Sequence, residues 1–218
     1  MEPTKRPLVI LMFLTIALSS SFAAPTLAHA NSRPTSRETV PNAALGTHDY
    51  PIRAFSGPHQ TLAILVEFSV VKHTQNKSSV DDLIFGRMAH YFTDASYGQF
   101  QITGKSVGWY LLPHTMSYYG ADLSTLEPGS DQRILPLIQD TFDAVTDRVN
   151  FSDYSQFMIV HASMGQEDAV KETDLIWSQA FLPNGELTIL TKQGIIIHSV
   201  AIVPEKESDG HSPLGVRA

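Results

Sequence analysis

The chain has 218 residues, 43% of them hydrophobic and 17% charged, with a formal net charge of -7 and no cysteine. That length suits one domain or slightly more, with enough apolar material for a true core. An acidic balance without a basic patch excludes nucleic acid as the main partner, and the lack of cysteine excludes disulfides, thiol-linked lipids and thiolate zinc sites.

The first element in chain order is a targeting segment. Lys5 and Arg6 form a positive n-region, Leu8 to Leu18 is apolar apart from Thr15, and Ala28-His29-Ala30 offers small residues for a signal peptidase. The apolar run is shorter than the roughly 20 residues a bilayer span needs. Residues 1–30 are therefore expected to be a signal peptide, with no stable membrane span after its removal and a secreted, extracellular location. The alternative is an uncleaved anchor. Residues 31–58 are rich in Pro, Ser, Thr and Asn and read as a flexible linker or pro-segment.

A folded unit is expected over residues 59–205. Leu62 to Phe68 is nearly continuous in apolar residues, as in a buried strand. A helix follows, capped by Ser78 or Ser79, with Asp81 and Asp82 in its first turn and Val80, Leu83, Ile84, Met88, Tyr91 and Phe92 on one face. Gly98 ends that region. Phe100 to Gly104 and Val107 to Leu112 read as two strands joined by a Gly-Lys-Ser turn and stopped by Pro113. Ile134, Leu137, Ile138, Thr141, Phe142 and Val145 predict a second helix, which either starts at Pro136 or kinks there. Phe157 to Ala162 is a second buried strand, and Leu187 to Val203, broken at Lys192-Gln193-Gly194, reads as a hairpin. From Glu205 the sequence turns polar, so residues 206–218 are expected to be a disordered tail. The pattern of strands and helices is mixed, α/β or α+β.

Residue types that carry chemistry are sparse. A zinc peptidase helix needs His-Glu-x-x-His, two imidazoles on one helical face with a carboxylate between them. None of the nine histidines lies four from another, and none precedes Glu. Glu207 and His211 are four apart, but Ser208-Asp209-Gly210 makes that a loop. Gly104-Lys105-Ser106-Val107-Gly108 has the letters of a Gly-x-Ser-x-Gly elbow but falls between two strand-like runs and not at a strand-to-helix turn, so it is not read as one, and no phosphate-cradling glycine pattern occurs. Glu167 and Asp168 are adjacent carboxylates that suit calcium or the orientation of a neighbour, against a plain solvated loop. His161, at the end of a buried run, suits either a ligand or a hydrogen-bonded core position. Trp109-Tyr110 and Tyr118-Tyr119 suit sugar stacking or, more commonly, packing. Asn76-Lys77-Ser78 and Asn150-Phe151-Ser152 match the glycosylation triplet, a weak signal. No residue is assigned as catalytic, cofactor-binding or metal-ligating.

In order, several phrases carry a resemblance: Val66-Glu67-Phe68, then Tyr91-Phe92-Thr93-Asp94-Ala95-Ser96-Tyr97-Gly98-Gln99-Phe100, followed by Gly104, Gly108 and Trp109-Tyr110. Tyr118-Tyr119-Gly120, Phe151-Ser152-Asp153-Tyr154, Phe157 to Ala162, Gly165-Gln166-Glu167 and Ile176-Trp177-Ser178 continue the set. Over residues 60 to 216 the chain resembles the secreted zinc metallopeptidases named after immune inhibitor A. Ser163 and Met164 depart from the family's glycine-containing turn, and Gln179 stands where the family tends to have His. Leu214-Gly215-Val216 resembles the phrase that leads into the family's zinc helix, but no His-Glu-x-x-His follows in these 218 residues.

The resemblance implies the N-terminal subdomain of a zincin, a twisted mixed sheet with helices packed on one side, incomplete without its zinc helix. In the intact family a sheet edge lines the cleft for a protein or peptide substrate and zinc is the cofactor. No zinc ligand carries over to a residue here, and calcium has no support beyond Glu167-Asp168. Two functions are expected: part of an exported metalloendopeptidase, inactive alone, or an exported non-catalytic module that binds peptides or glycans. The missing helix is also expected to leave apolar surface bare, favouring marginal stability or self-association.

Overall fold

The computed structural model describes residues 57–123, 129–168, 174–182 and 187–206. The expected signal peptide and nearly all of the expected linker, the loop around Glu207 and His211, and Leu214-Gly215-Val216 lie outside these residues.

Every side chain from Leu62 to Val66 is fully buried. That requires a strand with neighbours on both edges and cover on both faces, the usual setting of parallel strands. This strand, β1 (Gly57–Glu67), is an inner strand of a five-stranded sheet ordered β2-β1-β3-β7-β4. The partners are β2 (Phe100–Leu111), β3 (Gln156–Met164), β7 (Val200–Lys206) and the short β4 (Gln179–Phe181). β1, β2, β3 and β7 run parallel, and β4 pairs antiparallel with β7 as the outer strand.

Three sequence expectations change at the strands. Phe100 to Leu111 is one continuous strand, not two joined by a turn. Gly104 and Gly108 mark places where β2 comes against the β1 backbone, because a Cβ on either would collide with the carbonyl oxygens of Thr61 or Leu65. Leu187 to Val203 is not one hairpin. β5 (Ile189–Leu190) and β6 (Ile196–Ile197) pair around Lys192-Gln193-Gly194, while β7 leaves them to join the main sheet. The polar tail also begins later than expected, since Glu205 and Lys206 complete β7 and Glu205 is buried.

The helix after β1 has three parts: α1 (Lys77–Asp81), a π-helical stretch (Asp82–Met88) and α2 (Ala89–Ala95). Its cap is Asn76, not Ser78 or Ser79, and the Asn76 side chain accepts the Ser79 N–H at 2.8 Å. Asn150 likewise accepts the Ser152 N–H. Both glycosylation-like triplets thus coincide with Asn-x-Ser caps, a local reason for those residues. With the start moved back, Asp81 ends α1 and reaches across to Ser106 on β2, accepting its hydroxyl at 2.5 Å and its N–H at 3.1 Å. Tyr91 leaves the expected apolar face and is exposed, while Val80, Leu83, Ile84, Met88 and Phe92 are buried.

Between β2 and β3 lie α3 (Met116–Gly120), capped by Thr115, and α4 (Ile134–Val145). Pro136 neither starts nor breaks α4. It is the third residue, and an N–H there has no partner within the helix anyway, so proline costs no bond.

Helices cover both faces of the sheet, not one. Leu62, Ile64 and Val66 of β1 point into a core with Tyr119, Leu137, Ile138, Phe142 and the β5–β6 hairpin. Ala63 and Leu65 point into a second core with Val80, Leu83, Ile84, Met88 and Phe92. The alternation of β1 side chains divides them between the two layers. Among the described residues the sheet shows no bare apolar face of the kind expected from a missing helix. Met158, Val160, Ala201 and Val203, on the second face of β3 and β7, are at most 5% exposed.

Ser163, within β3, has φ +78°, and the β3–β7 register shifts between His161 and Met164. The glycine that the resembled family favours near this turn would remove a left-handed strain of roughly 1–2 kcal/mol, less the entropy glycine gains when unfolded. Ser163→Gly is expected to stabilise the fold by about 0.5–1 kcal/mol, read from the urea midpoint. A lower midpoint would mean that the Ser163 side chain contributes more than its backbone costs.

Candidate functional site

β4 is one of the two outer strands of the sheet, and the polar residues that hold it form the candidate site. Among the described residues no strand pairs on its far side. Its inner side is zipped to β7 through Gln179–Ile202, Ala180–Ala201 and Phe181–Val200. Three residues make few ladder bonds, so the strand depends on what grips the chain just before it.

Two carboxylates supply that grip. Asp131 accepts the Trp177 N–H and the Gln179 side-chain amide, both at 3.1 Å on the same oxygen, Oδ2. Glu167 accepts the Ser178 N–H at 3.1 Å and the Ser178 hydroxyl. The backbone of Trp177-Ser178 is therefore held from two directions as it enters β4. Gln166 extends the network. It is fully buried, its N–H donates to the Ile176 carbonyl, and its side-chain amide donates to Asp122 at 2.7 Å. The Gly129 N–H donates to both Asp122 and Gln166. Asp122 and Asp131 face each other as an isolated antiparallel pair, which closes the loop between them. Gly129 is needed here, since its φ is +82° and a Cβ would come within 2.7 Å of the Trp177 ring.

The electrostatics are one-sided. Asp131 is only 7% exposed, and its second oxygen, Oδ1, has no hydrogen-bond partner. Burial pushes its carboxyl up to about 7, the nearby charges of Asp122 and Glu167 add to the rise, and the bonds from Trp177 and Gln179 only partly offset it.

Of the residues singled out in the sequence, Glu167 is neither a solvated loop residue nor one of a convergent set of ligands: it orients Ser178. Asp168 closes the short 3₁₀ turn Gln166–Asp168 through its N–H to the Gly165 carbonyl. His161 is fully buried, with Nδ1 3.0 Å from the Ala162 carbonyl, and burial drives its pKa down to about 4, so the ring is neutral. Its Nε2 has no hydrogen-bond partner.

The aromatic pairs pack, and form no platform. The Trp109 indole donates to the Gln75 carbonyl at 3.0 Å and stacks on His73. Tyr110 lies under Arg148. Tyr118 is sandwiched against His114 and Arg133, and Tyr119 is buried and donates to Asp140 at 2.7 Å. Burial and the Asp140 carboxylate push the Tyr119 phenol well above its usual pKa.

Sequence reasoning missed Asp122, Asp131 and Glu205. Asp131 stands among Gly, Ser and Gln, where aspartate ordinarily marks a solvated turn, and Glu205 stood at the start of an apparent tail.

These features together define a mixed α/β sheet with four parallel strands, one antiparallel edge strand and a carboxylate network, Asp131 buried within it, bracing that edge. The family profile described as immune inhibitor A peptidase M6, catalytic domain, matches residues 69–157. Through that segment, from the loop after β1 to the start of β3, the chain is similar to that catalytic domain. No curated protein matches the chain.

The family implies zinc, and the residues present do not fit it. Among the described residues no group of three His, Asp or Glu side chains is arranged to hold a metal ion. Two imidazoles four apart are missing from the sequence altogether. The same finding leaves Glu167 and Asp168 without the convergence that calcium would need. Among the described residues no helix is long and apolar enough to cross a membrane.

Proposed function

We propose that this chain is the sheet-bearing N-terminal portion of an exported zinc metalloendopeptidase. On this reading it presents the β4 edge to an extended stretch of a protein substrate, and the metal-bound hydrolytic step belongs to residues outside these 218. The observation that carries the proposal is the outer antiparallel strand Gln179–Phe181, unpaired by any described strand and joined directly to the Ile176-Trp177-Ser178 phrase. An added peptide strand would take its affinity from main-chain hydrogen bonds to that edge and its specificity from pockets for alternate side chains. Export rests on the features of residues 1–30, and N-terminal sequencing of protein recovered from the medium should begin at Asn31.

The other outer strand, β2, is longer but guarded. Asp81 occupies the Ser106 N–H midway along it, and Lys105 beside it adds a charge, both devices that discourage strand addition. Titrating isotope-labelled full chain with oxidised insulin B chain, an extended polypeptide, is expected to shift the amide signals of Gln179, Ala180 and Phe181. Shifts confined to β2, or none at millimolar peptide, would overturn the assignment of the edge.

The sequence also supports a second reading, an exported module that binds peptides or glycans without hydrolysis, because the His pair is missing. Under that reading the β4 shifts would persist, while a longer version of the chain carrying whatever follows residue 218 would gain no proteolytic activity.

A further inference from the structure

Asp131 and Glu167 grip the segment entering β4, and Asp122 joins them through Gln166; Asp131 is buried, the other two are half-buried, and no described cation lies among them. Asp122 pairs with Asp131 across the antiparallel bridge, and Glu167 comes from the 3₁₀ turn after β3. The segment they hold, Trp177-Ser178-Gln179, contributes no charge. Arg133, two residues from Asp131, is turned away, donating to the Tyr118 carbonyl at 3.1 Å and covering the Tyr118 ring. Charges of one sign held close together repel, which favours a proton on the one most withdrawn from water, Asp131. The unpartnered Oδ1 of Asp131 is the atom with room for that proton, since Oδ2 already accepts both bonds from the β4 segment.

We infer that Asp131 is a positioning residue for the β4 edge, and that its grip is proton-dependent: firm while Asp131 is protonated, relaxed as the proton leaves, so that a peptide docks on this edge more tightly on the acid side of neutrality. The consequence for peptide rests on the reading of β4 as the substrate edge. The consequence for β4 itself does not.

The direction follows from linkage. Asp131 releases its proton at about pH 7 in the folded chain and near 3.8 when free of the fold. A group whose pKa is raised on folding gives stability that is fully present below the unfolded value and lost as pH rises through the folded value. The loss falls where the repulsion is, so opening begins at Trp177 to Gln179, where withdrawal lets the carboxylate reach water.

The test is amide hydrogen exchange of the full chain between pH 5.5 and 8.5, corrected for intrinsic rates, read on a fragment spanning residues 175–182. Protection there is expected to fall about tenfold across neutrality while the β1 fragment stays protected. Asp131→Asn keeps an acceptor for Trp177 without a charge and should abolish the transition. Glu167→Gln removes one repelling charge, still accepts from Ser178, and should move the transition to lower pH.

Protection of residues 175–182 that does not vary with pH, or an Asp131→Asn variant with the same transition as the parent, overturns the inference. So does a transition erased by millimolar calcium, which would make the cluster a cation site. Insulin B chain binding, followed over the same pH range, separates the two readings. Switching of β4 with no binding at any pH leaves the positioning role standing and removes the substrate edge. Binding that does not vary with pH beside an unswitched β4 does the reverse.

Discussion

Gly104→Ala is expected to cost the fold on the order of 4 kcal/mol, enough to leave much of the population unfolded if net stability is ordinary. Two costs add. The φ of Gly104 is +146°, a region that side chains other than glycine's scarcely enter, and a Cβ there would overlap the carbonyl oxygen of Thr61 on the neighbouring strand. The obstacle is backbone in β1, a strand paired on both sides, so no side chain can swing away to make room. β2 would have to separate from β1 or shift its register, and a shift of one residue would turn its buried positions outward. Gly98→Ala is the control, because Gly98 has φ +78° but nothing within 4 Å of an added methyl group. Its cost should be only about 1 kcal/mol, from backbone strain alone. Urea unfolding of the two variants measures the contrast, and equal midpoints would show that the close approach of β2 to β1 is not tight.

Glu205→Ala is expected to remove about 3 kcal/mol, since truncation takes away a buried carboxylate that accepts from four donors at once. The Glu205 carboxylate, itself buried, accepts the N–H groups of Thr74 at 2.9 Å, Gln75 at 2.9 Å and Ser163 at 3.0 Å, with the Thr74 hydroxyl at 3.2 Å. It thereby ties the loop after β1 and the end of β3 to the end of β7. The same loop is held by Trp109 donating to Gln75 and by Lys72 and His73 on Glu67. Glu205→Gln should recover only part of the loss, because its amide nitrogen would face backbone N–H donors. Denaturant midpoints, with hydrogen exchange at Thr74, Gln75 and Ser163, measure this. An alanine variant as stable as the parent would mean that the loop finds other acceptors.

The central sheet was legible wherever one property decided the outcome. Continuous apolar runs at Leu62 to Phe68 and Phe157 to Ala162 can be satisfied only by strands buried on both faces, and that is where β1 and β3 lie. The same runs contradict a sheet with helices on one side, so the correction was already present in them. The helix face from Val80 to Phe92 was legible because burial repeats at helical spacing. Gly104 was misleading because glycine marks a turn and a close backbone approach alike, and only the partner strand distinguishes them. Asp131 and Glu205 were not legible at all. A polar residue becomes buried because of donors contributed from 46 and 131 positions away in the chain, as with Trp177 and Thr74, and no local pattern encodes those partners. Ser163 and Gln179, noted from sequence only as departures from a family pattern, turn out to lie at the strained bend of β3 and in the grip on β4.

A division of labour underlies the proposed function, with a substrate-holding edge inside these residues and the metal grip outside them. Zinc stoichiometry and proteolysis, measured together on the purified full chain, test it most directly. Equilibrium dialysis against micromolar zinc followed by elemental analysis should find well below one ion per chain, and labelled casein should remain uncut with or without zinc. One tightly held zinc per chain, with casein cleavage that a chelator stops, would contradict that division.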